Sequence, residues 1–341
     1  MDYDVTIGIP VYQAEAYLAQ SLLSALNQTY TSIEFLVVDD GCTDRSMDVV
    51  HKFQREHSRG DDIHILSHET NRGVAVSRNR IIEKAQGTFL YFMDADDTID
   101  KNTISLLMNG VRKYDAEIVF GSYEKIEMSG EKSLYLYPSL LLLEKDQLAS
   151  YAYRRYGGFQ ASACNFVVKM ALLRETRLRF IETNYWEDMA FVLDLITEVS
   201  RAVLLPNVTY SYRCREGSLS HYQKRDVIGK REIMQNMKTI DYLKKSSLRL
   251  CDKEYYPGRC YYVVMTDLYM ACHIIRHRRN IDPSVSNREV RDMLSHPASF
   301  RQICFFRQMR MRNLILYLLG KLPPSLCVAT IWCINQCKRQ S

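Results

Sequence analysis

Three carboxylates crowd the end of one short apolar run, FLYFMDADD at residues 89–97, and no other stretch concentrates charge so abruptly. Asp94, Asp96 and Asp97 packed this closely disfavour one another's ionised forms unless a cation neutralises them. Hard oxygen donors suit Mg2+ or Mn2+, and Mg2+ in particular takes one or two carboxylates and completes its shell with phosphate oxygens and water. The triplet is therefore a candidate site for a metal-bridged phosphate substrate. It equally suits an acidic loop in which Asp96 or Asp97 caps a helix whose apolar pattern starts at Ile99.

Other residues with chemical potential fall at similar points. Asp39 and Asp40 close another apolar run, ahead of Gly41, Cys42, Thr43 and Asp44. Arg78 interrupts the apolar stripe Val74, Ile81, Ile82, Ala85, and a charge on an inward face needs a partner. It is expected to point at the carboxylates or a bound phosphate, the bland alternative being an arginine snorkelling at the rim. Glu187 and Asp188 open a further helix. Counting back by four from Val192 lands on Asp188, whereas Glu187 shares its side with Asp194 and Glu198, so Asp188 is the expected functional acid. Both could instead complement the helix N-terminus. Arg213, Arg215, Ser218, Ser220 and His221 could grip phosphate or supply a metal ligand, His221 being the candidate for the latter.

These residues need strands and helices to converge. Residues 4–11, 33–38, 63–66, 89–93 and 116–122 are apolar, β-branched runs of strand length. Helical spacing links them at residues 14–28, 44–57, 74–85 and 101–114. This alternation predicts an α/β fold with a mostly parallel central sheet flanked by helices. Right-handed crossovers would bring the Asp39 and Asp94 strand ends to one edge, where ligands gather in such sheets. Residues 124–150 weaken into a polar turn and a leucine run and are expected to form a connection. Strand signals return at 164–168 and 208–213.

From about residue 227 the pattern is helical. Arg301, Arg307, Arg310 and Arg312 interleave with Phe305, Phe306, Met309 and Met311, and apolar segments follow at 314–319 and 326–334. Neither reaches the roughly 20 residues that span a bilayer. The tail is expected either to lie on an anionic membrane surface or to pack as a helical hairpin. The 341 residues carry 47% apolar and 25% charged residues, ordinary for a folded chain, and a formal charge of +5. No nucleic-acid partner is expected. The ten cysteines form no CxxC pair, and the start lacks a signal-peptide pattern, so a reducing cytoplasmic location is expected, with peripheral attachment to the inner face of the cell membrane.

In order along the chain stand Pro10-Val11-Tyr12, Asp39-Asp40-Gly41, Asn71-Arg72-Gly73 with Ser77-Arg78-Asn79, Asp94-Ala95-Asp96-Asp97 and Trp186-Glu187-Asp188. Together they resemble the family 2 glycosyltransferases over roughly residues 4–220. The resemblance implies the GT-A nucleotide-sugar-binding fold over residues 1–225, with a donor-binding half at 1–123 and an acceptor half at 124–225; the helical C-terminal region at 226–341 is expected from its own pattern. It implies a nucleotide-diphosphate-sugar donor, usually a UDP-sugar, and transfer with inversion to a saccharide or lipid-linked saccharide in surface polysaccharide or glycolipid assembly. By the same comparison Pro10, Val11, Tyr12 and Asp39 would hold base and ribose, Asp40 would be among the donor-binding residues, and Arg78 would lie near the nucleotide. Asp94, Ala95 and Asp96 would form the DxD element, with Asp97 sharing an Mn2+ or Mg2+ ion. Asp188, beside Glu187, would be the catalytic base. Gln13 and Cys42 depart from the family's usual Asn and Ser. Two rivals are a catalytically silent nucleotide-sugar-binding scaffold and a metal-dependent nucleotidyltransferase.

Overall fold

The computed structural model describes residues 3–155, 157, 159–215 and 228–340, apart from the side chains of 228 and 337–340. The chain divides into two compact units, Met1–Leu148 with Ala161–Ser218, and Ala149–Gln160 with Leu219–Ser341.

In the first unit the apolar runs become β1 (Val5–Val11), β2 (Ile33–Asp39), β3 (Ile63–Ser67) and β4 (Phe89–Phe92), linked by α1 (Glu15–Leu26), α2 (Ser46–Glu56) and α3 (Val74–Lys84). These four strands are parallel, in the order β3-β2-β1-β4. Register pairs Val11 with Asp39 and Gly8 with Phe92, so the carboxylate-bearing ends of β2 and β4 lie on one edge. Six of β1's seven residues are buried, as a strand covered on both faces requires. Gly8 lets α3 close on β1: a Cβ there would meet Ile81 Cγ2 at 2.4 Å.

Beyond β4 the sheet departs from the mostly parallel expectation. After β5 (Thr98–Ile99), α4 (Thr103–Tyr114) and β6 (Ile118–Ile126), the chain forms β7 (Lys132–Tyr135), β8 (Leu140–Leu142) and α5 (Gln147–Tyr153). Then come β9 (Phe166–Lys169), α6 (Met170–Thr176), α7 (Glu187–Glu198) and β10 (Ala202–Arg213). β9 inserts between β4 and β6, antiparallel to both, and the order continues β6-β10-β5. The segment read as a connection contributes two strands: β7 pairs with β6, and the leucine run is β8, antiparallel to β10 at Ala202–Leu204. Its residues alternate too little for the pattern to betray a strand, because pairing rather than amphipathicity holds them.

The second unit is helical: α8 (Lys230–Ser247), α9 (Tyr256–Arg276), α10 (Asn287–Met293), α11 (Phe300–Cys304), α12 (Arg310–Leu319) and α13 (Pro324–Gln340), with a parallel pair β11 (Ile228–Gly229) and β12 (Ile281–Asp282). The segment 149–160, placed by the sequence in the acceptor half, clusters with these helices. One reason is Arg259, wholly buried on α9, which donates to Tyr153 Oη at 2.6 Å and to Ser247 Oγ at 3.0 Å. A buried guanidinium needs such acceptors. No described helix is long and apolar enough to cross a membrane.

Candidate functional site

The site assembles at the edge where β1, β2 and β4 end. At the β1 end Val11 is buried, Pro10 half-buried and Tyr12 exposed. Gln13 then adopts φ 49° and clamps the loop after β2, its Oε1 accepting from Thr43 N at 2.9 Å and its Nε2 donating to Thr43 Oγ1 at 2.9 Å. Cys42 lies below: its amide donates to Asp39 Oδ1 at 2.8 Å and its thiol to Val11 O at 3.4 Å. Burial pushes that thiol up to about 12, which keeps it a donor. The two departures from the family pattern thus form part of the loop's own hydrogen bonding.

Asp39 remains half-buried at the edge, but its neighbour does not. Asp40 is 3% exposed and accepts from Arg72 N at 2.9 Å and Gly73 N at 2.8 Å, with His68 Nδ1 at 2.7 Å from Oδ1. Both oxygens are committed to the loop that starts α3, so Asp40 positions that loop and presents no oxygen to a ligand. Gly73, at φ 91°, allows the turn, and a Cβ on it would meet Asn184 Oδ1 at 2.6 Å.

Arg78 projects from α3 and is 4% exposed. Its Nη2 donates to Asp94 Oδ1 and its Nη1 to Glu187 Oε1, each at 2.9 Å. Its Cζ lies 5.4 Å from the Phe180 ring centroid. Burial works against its charge, but Asp94, Cys164, Glu187 and Asp188 outweigh that and hold it firmly protonated. One guanidinium therefore joins the end of β4 to the start of α7, which lie far apart in sequence.

The three acids after β4 have separate fates. Asp94 keeps about a third of its side chain exposed (33%). Asp96 is paired with the Arg215 guanidinium, which also lies 5.3 Å over the Tyr17 ring. Burial, then the Asp94 charge, raises the Asp96 pKa, and Arg215 opposes the rise. Asp97 turns inward and is 1% exposed: Oδ2 accepts from Tyr210 Oη at 2.7 Å and Oδ1 from Arg213 N at 2.8 Å. Burial, with the charges of Asp94 and Asp96, pushes it up to about 8. None of the three caps a helix, since β5 follows and α4 begins only at Thr103. Ala95, between them, is buried.

Among the described residues, no group of three or more His, Cys, Asp or Glu side chains is arranged to hold a metal ion. The donor chemistry still admits a smaller set. Asp94 and Asp96 are partly exposed carboxylates at one strand end, matching the one or two that Mg2+ uses beside phosphate oxygens. Asp97 does not fit, because both its oxygens are taken by protein donors. His221, expected as a further ligand, lies outside the described residues, as do Ser218 and Ser220.

At α7 the helical stripe does not separate buried from exposed acids. Glu187, assigned to the outer side, is 7% exposed and Asp194 is 1% exposed, because α7 is buried on nearly every face. Asp188 is half-buried, and its Oδ1 accepts from Met189 N at 2.7 Å. Burial raises its pKa and Arg78 opposes that. Burial and the Asp188 charge push Glu187 up to about 7, against the pull of Arg78. Glu187 thus faces Arg78, while Asp188 is the acid with access to solvent. The sequence reading also missed Tyr210, whose hydroxyl accepts from Asp94 N at 3.2 Å besides donating to Asp97. Residues 208–213 alternate as a strand should, but the register with β6 shifts between Val208 and Tyr210, so the face Tyr210 takes is set by the pairing and not by the alternation.

Residues 6–176 match the sequence model of the family described as glycosyl transferase family 2. An uncharacterised glycosyltransferase of Haemophilus influenzae is 30% identical over 208 residues, 61% of this chain and 78% of that one. The Escherichia coli protein WfgD, a UDP-Glc:alpha-D-GlcNAc-diphosphoundecaprenol beta-1,3-glucosyltransferase, is 31% identical over 144 residues, 42% of this chain and 55% of its own. Among solved structures, S. aureus TarS 1–349 in complex with UDP superposes with a TM-score of 0.54 at 17% identity, covering 93% of this chain and 90% of that one. At this identity the likeness concerns the fold, and TarS is also known in complex with UDP-GlcNAc.

Proposed function

The chain belongs to glycosyl transferase family 2 and has its GT-A fold, and on that premise we propose that it transfers a sugar, with inversion, from a UDP-sugar to a hydroxyl of a saccharide or lipid-linked saccharide. The observation that carries this reading is that Asp39, Asp94 and Asp96 stand at the ends of β2 and β4 on one edge of the sheet, where Arg78 ties Asp94 to Glu187 and lies within electrostatic reach of Asp188. The UDP complexes of TarS and the UDP-Glc donor in the name of WfgD support the donor class. WfgD's polyprenyl-linked acceptor supports a lipid-linked one, which would place the reaction at the inner face of the cell membrane.

In this reading Pro10, Val11, Tyr12 and Asp39 hold the base and ribose, with Asp40 keeping the following loop in place. Arg78 orients Asp94 and Glu187 and keeps positive potential beside the diphosphate. Asp94 and Asp96 would hold the Mn2+ or Mg2+ ion, which when bound offsets charge on the departing diphosphate. Arg215 then has to leave Asp96. Asp188 takes the proton from the acceptor hydroxyl as that oxygen attacks the anomeric carbon opposite the nucleotide; one bond forms, the sugar–phosphate bond breaks, and the centre inverts. Raised proton affinity suits Asp188 to that work.

The test is Asp188→Asn, assayed for sugar transfer and for donor binding by thermal shift with UDP-sugars and Mn2+. Turnover should fall about 10^2- to 10^4-fold with donor-induced stabilisation retained. Unchanged turnover would remove Asp188 as the base. Release of a nucleoside monophosphate with pyrophosphate would point instead to nucleotidyl transfer, and no turnover by the unmodified protein with any donor would point to a silent scaffold.

A further inference from the structure

From residue 293 to residue 341 the sequence contains no Asp or Glu, against seven Lys and Arg. This is a charge asymmetry that the modest total of +5 conceals. Within this segment α12 has two faces. Asn313, Leu316 and Leu319 are buried against its own unit, and α12 packs on α9 and α11. Met311, Ile315 and Leu318 follow one another at i, i+4 and i+7 and are 62%, 62% and 50% exposed. That spacing places them in one stripe, turned away from the buried one. Just ahead of the helix Phe305 is 77% exposed. Arg310 and Arg312 in the first turn of the helix, Arg307 just before it and Lys321 just after it are all exposed. Arg310 and Arg312 fall about 100° to either side of Met311 on the helix.

We propose that this face of α12 is a membrane-docking surface, in which Met311, Ile315 and Leu318 enter the headgroup and acyl boundary of an anionic bilayer while the neighbouring arginines engage lipid phosphates. The inference goes beyond the donor and acceptor reading and stands without it, since it uses only residues of the second unit. Charge selects the occupant. A second copy paired about a two-fold axis would bring the same cationic segment against itself, which like-charge repulsion disfavours. An anionic lipid surface complements both the apolar stripe and the cationic segment, as interfacial helices with basic borders do. A stripe of one apolar face on a ten-residue helix supports lying in the interface, not crossing it.

The full chain is mixed with phosphatidylcholine vesicles with and without phosphatidylglycerol and sedimented at low and high salt. We expect binding to the anionic vesicles at low salt, weakened by salt. The triple variant Met311→Ser, Ile315→Ser, Leu318→Ser should bind roughly tenfold more weakly or worse, as should Arg307→Gln with Arg310→Gln. All replaced side chains are exposed, so circular dichroism should be unchanged and transfer to a soluble acceptor should persist. Absence of sedimentation of the native chain with anionic vesicles, or native-like sedimentation of either variant, would overturn the proposal. So would a light-scattering dimer that the triple variant dissolves while lipid binding stays intact. Failure of the glycosyl-transfer reading would leave these outcomes untouched, because no donor is present.

Discussion

Replacing Arg78 with Met tests the electrostatic account of the site most sharply. The substitution keeps a long apolar stem but removes two hydrogen bonds of 2.9 Å, to Glu187 and to Asp94. Breaking a buried ion pair by removing one partner costs about 3–5 kcal/mol. Asp94 is a third exposed and can recover water, so its share is discounted. Glu187, 7% exposed, cannot, and its escape is to take up a proton. In the native protein its folded pKa, raised to about 7, already exceeds the unfolded carboxylate value of about 4.3, so its stabilising contribution is complete below that value and is lost as pH rises through about 7. Without Arg78 its pKa rises further. Below about pH 7 both proteins then hold the proton when folded, and the variant loses only the remainder, about 1–2 kcal/mol. Above pH 7 only the variant retains it, and its deficit grows by about 1.4 kcal/mol per pH unit. At pH 8.5 the deficit should reach about 3 kcal/mol, or roughly 6–12 °C in Tm for a unit of this size. Urea unfolding followed by Trp186 fluorescence, in a Trp332→Phe background so that the signal comes from the first unit, measures this at pH 6 and pH 8.5. Equal destabilisation at the two pH values would refute the reasoning, as would a deficit below about 0.5 kcal/mol at pH 8.5.

Two further perturbations test residues that position other residues. Asp40→Ala strips the acceptor from two backbone amides, Arg72 N and Gly73 N; it should cost about 2–3 kcal/mol and speed hydrogen exchange at those amides, and native-like exchange there would contradict the role given to Asp40. In the second unit Lys244→Met leaves Asp267 without the ammonium 2.5 Å away. Burial already holds Asp267 up at about 7 against the pull of Lys244, so the loss should be about 3–5 kcal/mol at pH 8 and smaller at pH 5. Unfolding followed by Trp332 in a Trp186→Phe background reads it, and a pH-independent loss would show that Asp267 is not the group left stranded.

The order of strands β1 to β4, their helices and the acids at their ends were legible in the sequence. Each is a local fact: continuous apolar runs mark strands buried on both faces, a period of 3.6 marks helices, and abrupt acids mark strand ends. Family membership was legible for the same reason, since its motifs are short and ordered along the chain. The antiparallel insertion of β9 was not, because the partner of a strand is chosen by surfaces far away in sequence. The same holds for β7 and β8, whose residues lack alternation and are held by β6 and β10.

Residue types determined that this chain carries acids and arginines able to bind a phosphate-bearing ligand. Tertiary structure decided which of those groups are free to do so. Asp39 and Asp40 are neighbours, yet one stands at the site and the other is spent on the amides of a loop 32 residues away. Asp96 and Asp97 are neighbours, yet Asp97 is closed off by Tyr210 and the Arg213 amide. Glu187 and Asp188 are neighbours, and only the fold turns one to Arg78 and leaves the other half-open. A charged side chain's function depends on its partners and its access to water, and both are set by elements that only the folded chain brings together.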